Sequence, residues 1–85
     1  MSTLDDWLRE ATAALQLPVD AVPADLRTDL LDVTRDVAHH VARIAGPLST
    51  YLLGLAVARG MAPSAAIEVV SRLALAHQPT AEPNE

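Results

Sequence analysis

The sequence predicts an all-α fold: a compact bundle of four helices, one of them long and central, assembled as a dimer. Three observations lead there. The chain is 51% hydrophobic with one Trp, one Tyr and no Phe. Its apolar content is therefore mostly Leu, Ala and Val, and Ala and Leu head the helix scale. Apolar residues recur at three- and four-residue spacing in separate segments, which is the period of a helix face. Pro18, Pro23, Gly46, Pro47, Gly60 and Pro63 fall between those segments, where they stop one helix and open the next.

The first helix should run from about Leu4 to Leu15. Thr3 with Asp6, or Ser2 with Asp5, resembles a capping box in which Asp replaces the usual Glu. Leu4, Trp7, Leu8, Ala11, Ala14 and Leu15 make one stripe, expected to be buried. Pro18 and Pro23 bracket a short loop, so this helix should end by Gln16 or Leu17.

The second helix should run from Pro23 to Ala45 and be the longest. Leu26, Leu30, Val33, Val37, Val41 and Ile44 form one stripe, and Leu31, Ala38, Ala42 and Ala45 form a second flank. That apolar arc is wider than a surface helix needs, which predicts a central helix touching at least two neighbours. Gly46-Pro47 is the expected break, with Gly closing one helix and Pro opening the next.

The third helix should run from Pro47 to Arg59. Leu48, Tyr51, Leu52, Leu53, Leu55, Ala56, Val57 and Ala58 leave it little polar surface. Such a helix is either enclosed or lies at an interface, and a chain this short has few elements to enclose it. Gly60 should end it, and Pro63 should open a fourth helix with a stripe at Ile67, Val70, Leu73 and Ala74. Arg72 and His77 suit the negative end of that helix dipole. Residues 1–77 are thus expected as a single helical domain, and residues 78–85, QPTAEPNE, as a flexible C-terminal tail.

Charge and cysteine usage narrow the function classes. Six Arg and no Lys stand against eleven acids, a net charge of −5, which repels phosphate backbones and disfavours nucleic acid as a partner. Cysteine is absent, so no disulfide framework, thiolate zinc site or Cys nucleophile exists, in keeping with a cytoplasmic location. The acidic, amphipathic MSTLDDWLRE is unlike a signal peptide. The longest apolar run, Tyr51 to Ala58, is too short to span a membrane.

The residues that could carry chemistry lie mostly on the second helix. Asp25, Asp29, Asp32, Asp36 and Arg43 share a polar stripe, with His39 and His40 at its margins. Asp32, Asp36 and His39 step by four and three, which could offer two carboxylates and an imidazole to a metal ion. Only one Asp-x-x-His segment is present, and there is no second acidic helix to complete a di-metal bundle. A solvated acidic face is the simpler reading. No Ser, Cys or Lys stands beside the histidines as a nucleophile, and no Gly-rich phosphate loop occurs. Tyr51 and Trp7 read first as apolar anchors. No catalytic residue and no cofactor are expected.

The segments LDDWLREATAALQL and DLLDVTRDVAHHVARIAGPLSTYLLGLAVARG resemble a small bacterial helical domain family of uncharacterised function, over roughly residues 4–75. Arg35-Asp36-Val37-Ala38-His39, Arg43, Pro47-Leu48, Thr50 and Gly54 fit its pattern residue by residue. Ser49 and Tyr51 stand where Thr and Phe are common, and Ile44 and Gly46 where Pro and Ala are. That family occurs alone and fused to the C-terminus of molybdenum cofactor guanylyltransferases, which make molybdopterin guanine dinucleotide. The resemblance implies an accessory role near that pathway and no catalytic residue.

Residues and resemblance together predict a non-catalytic protein-interaction domain. Its partner would be a second copy or an enzyme of molybdenum cofactor biosynthesis. Leu48, Tyr51, Leu52 and Leu55 would supply apolar area, and Arg35, Asp36, His39 and Arg43 would orient the contact. The alternative is a bundle that binds a small ligand or metal through Asp32, Asp36, His39 and His40. A stand-alone enzyme ranks last, because too few polar groups converge.

Overall fold

A computed structural model describes residues 3–77 and places four helices along them. They are α1 (Thr3–Ala14), α2 (Ala24–His40), α3 (Ala45–Ala58) and α4 (Pro63–Ala76), with no strand among the described residues. The expected all-α bundle is the observed fold. Ser2, one candidate cap of the first helix, and the expected tail at residues 78–85 lie outside the described residues.

α2 is the spine, as its wide apolar arc predicts. α3 and α4 both pack against it and against each other. Val33 and Val37 of α2, Leu53 of α3, and Ala66 and Ala74 of α4 form the buried core. Leu30, Val41, Ala45, Ala56, Ile67 and Val70 close around it. Two of the five core residues are alanines, which lets α4 lie close to α2 but leaves little apolar volume inside. Buried apolar area is the main source of stability, so a core this small gives a modest one.

The break between α2 and α3 differs from the expectation. α2 ends at His40 and the chain turns through 41–44, so Gly46 and Pro47 stand inside the first turn of α3. The physical cause is still Pro47. Its ring would clash with the Arg43 carbonyl if one helix ran through, and its missing N–H is harmless only within a first turn. Gly46 is therefore not a cap. It is buried where α3 crosses α2, and a Cβ there would sit 3.2 Å from Thr34 Cγ2. Thr34 Oγ1 donates to the Leu30 carbonyl at 2.6 Å, which holds that side chain in place. With α2 shortened, Ile44 leaves the expected core stripe and is exposed, as are Leu31 on α2 and Leu73 on α4.

Two helix ends share one hydrogen-bond pattern. At the end of α3, Gly60 takes φ +111, its N–H donates to the Val57 carbonyl at 3.0 Å, and Met61 N–H donates to Ala56 at 3.1 Å. This is the glycine-closed helix end that the sequence predicts. At the end of α1, Gln16 takes φ +59. Its N–H donates to Ala13 at 3.0 Å and that of Leu17 to Thr12 at 3.0 Å. A Cβ in that conformation costs about 1 kcal/mol.

α1 departs most from its expected place. No Cα of α1 comes within 8 Å of α2, α3 or α4. None of its residues is buried, and Trp7, on the stripe expected to face the core, is 62% exposed.

Three outcomes are expected. Leu53→Ala, at a position 4% exposed, lowers stability by about 2–4 kcal/mol in denaturant titration. The neighbouring Leu52→Ala changes it by less than about 0.5 kcal/mol in dilute solution, because Leu52 points away from the core. Gln16→Gly relieves the strained helix end and slows amide exchange in α1 about fivefold.

Candidate functional site

The outer side of α3 is the most distinctive surface. Pro47 and the packing of Gly46 and Leu53 on α2 fix the helix rotation. Leu48, Tyr51, Leu52 and Leu55, spaced three and four apart, then face outward together at 45–68% exposure. Ile44 continues the stripe past the helix start. This answers the choice posed by the all-apolar third helix: its outer half is not enclosed within the chain.

Charge is segregated around that face. No Asp or Glu occurs from 37 to 67, and the α3 region carries Arg43 at one end and Arg59 at the other. Both arginines are exposed. The acids lie elsewhere: Asp5, Asp6 and Glu10 on α1, Asp20 in the loop, Asp25, Asp29, Asp32 and Asp36 on α2, and Glu68 on α4.

The polar residues singled out on α2 do not converge. Arg35 pairs with Asp32 at 3.0 Å, an exposed contact within one helix. Asp36 turns to α4 and accepts a long hydrogen bond, 3.5 Å, from Ser71 Oγ. His39 is exposed. His40 is partly buried, and its Nδ1 has no hydrogen-bond partner among the described residues. Asp32, Asp36 and His39 share one side of α2, where Asp32 is occupied by Arg35 and Asp36 by Ser71. Among the described residues, no group of three or more His, Asp or Glu could hold a metal ion. No described helix is long and apolar enough to cross a membrane.

Sequence reasoning missed an open apolar face on α1. Leu4 and Trp7 are exposed there, and Leu15 continues the stripe past the helix end. Its signal was present in the amphipathic spacing, but the spacing alone read as core. α1 is held beside the start of α2 by Arg27 Nη1, which donates to Asp5 Oδ1 at 2.8 Å across partly exposed surface. Between α1, the loop and Arg27 lies a cleft of about 470 Å³ lined by Leu8, Leu17, Val19 and Val22.

Fold and surface define a small all-α bundle domain that presents an uncovered apolar helix. The chain belongs to the family described as Domain of unknown function (DUF6457), which matches residues 1–82. A small domain family of this kind is what the resemblance over residues 4–75 led one to expect. Neither the curated proteins nor the solved structures provide a match.

Arg27→Ala removes one tie between α1 and the core. It is expected to speed amide exchange throughout α1 while changing core stability by less than about 1 kcal/mol. Equal acceleration in α2 and α4 would show instead that α1 is part of the core's cooperative unit.

Proposed function

We propose that this chain is a non-catalytic protein-interaction domain that docks through the outer face of α3. The observation that carries the reading is the outward alignment of Leu48, Tyr51, Leu52 and Leu55 on a helix whose other side holds Leu53 in the core. Leaving that much apolar surface in water is unfavourable by about 25 cal/mol for each Å² that a partner could cover. Arg43 and Arg59 flank the face and suit an acidic rim on the partner.

Within this reading, the domain is an accessory to molybdenum cofactor biosynthesis. It would act on the nucleotide-transfer step that makes molybdopterin guanine dinucleotide, by docking on that enzyme or as its own assembly. The support is the resemblance over residues 4–75 to a bacterial domain found fused to such guanylyltransferases. The shared segment runs from Arg35-Asp36 through His39 and Arg43 to Pro47-Leu48 and Gly54. It spans the turn into α3 and the first half of the docking face.

The test is titration of a purified molybdenum cofactor guanylyltransferase with the chain at low concentration, followed by calorimetry. Binding in the micromolar range is expected, weakened at least about tenfold by Leu55→Asp. If no binding occurs with either protein at about 100 µM, the molybdenum assignment is overturned.

A further inference from the structure

We propose that the outer face of α3 is covered by α1 of a second copy of this chain, in a two-fold dimer with two equivalent α1–α3 contacts. The proposal rests on the reading of α3 as a docking element and names its occupant.

Three observations select α1 of another copy. First, besides the exposed Val69, Leu73 and Leu75 of α4, the chain carries two open apolar faces of matching form. α1 presents Leu4, Trp7 and, just past its end, Leu15; α3 presents Leu48, Leu52 and Leu55 around Tyr51. Each stripe follows helical spacing, so one can lie along the other. A chain's own α1 does not fill this place, since no Cα pair between α1 and α3 lies within 8 Å.

Second, the charges are complementary. α1 carries Asp5, Asp6 and Glu10, of which Asp5 is paired with Arg27 and Asp6 with Arg9, whereas α3 is flanked by Arg43 and Arg59 in a stretch, 37–67, without Asp or Glu. Pairing α3 with another α3 would bring arginine-flanked faces together and leave both acidic α1 helices uncovered.

Third, the α1–α3 arrangement covers more apolar surface than an α3–α3 pairing does, because each chain contributes two exposed stripes to it and not one, which brings it nearer the roughly 800 Å² per partner of a stable interface. A two-fold axis makes the second contact follow from the first. A partner enzyme then competes with α1 for the face, so its apparent affinity falls as the chain concentration rises.

The experiment is light scattering over a concentration series on the wild type, Trp7→Glu, Leu52→Glu and an equimolar mixture of the two variants. Both positions are exposed, so neither change disturbs the core, and circular dichroism confirms the helices. The wild type is expected at twice the 9.0 kDa chain mass. Each variant alone is expected to dissociate at least about tenfold more readily. The mixture is expected to recover part of the dimer, because one chain's intact α1 meets the other's intact α3.

Three results overturn the proposal. They are a wild type that is monomeric up to about 100 µM, a Trp7→Glu variant that dimerises as the wild type does, and a mixture that recovers nothing. A monomeric wild type that still binds the guanylyltransferase, with binding lost in Leu55→Asp, removes the dimer and leaves the proposed function standing. A dimer that behaves as expected but meets no enzyme removes the molybdenum assignment and leaves the dimer standing.

Discussion

The structure depends on the close approach of α3 to α2 at Gly46 and Thr34. A Cβ at Gly46 would lie 3.2 Å from Thr34 Cγ2, so a side chain there requires Thr34 to give way. That approach seats Leu53 on Val33 and Val37, and α4 completes the core with Ala66 and Ala74. Because close-packed interiors respond to single methylenes, the orientation of α3 follows from this one crossing. So does the identity of the side chains it turns outward.

The same economy of core explains the surface. Among its described residues, a chain that is 51% hydrophobic buries no large side chain beyond Val33, Val37 and Leu53. The remaining Leu, Val and Trp must stand partly in water or be covered from outside. They are not scattered evenly: the largest group follows α3, which arginines flank, with smaller sets on α1 and α4. Of the α2 carboxylates, Asp32 is paired with Arg35 and Asp36 faces Ser71.

Much of this was legible in the residues. The spacing of Leu30, Val33 and Val37 marked α2 as central, Gly60 and Pro63 placed the last two helix boundaries, and Leu48, Tyr51, Leu52 and Leu55 were recognised as one apolar set. Other parts were not. Gly46 read as a helix cap because glycine has two uses, left-handed turns and close approach, and spacing does not distinguish them. Gln16 gave no sign that it would adopt a positive φ, since that position usually belongs to glycine. The α1 stripe read as core because amphipathic spacing records that a face is apolar and says nothing of what covers it.

The sequence by itself determined the local structure. Helix propensity, apolar periodicity and proline placement are properties of neighbouring residues, and they were sufficient for four helices and an approximate set of breaks. Only the tertiary structure decided which apolar faces meet. That depends on which surfaces can approach closely, as Gly46 and Ala66 allow, and on how little volume three helices can enclose. In this chain those two constraints left α1 outside the core and turned half of α3 outward, and the functional reading rests on that arrangement.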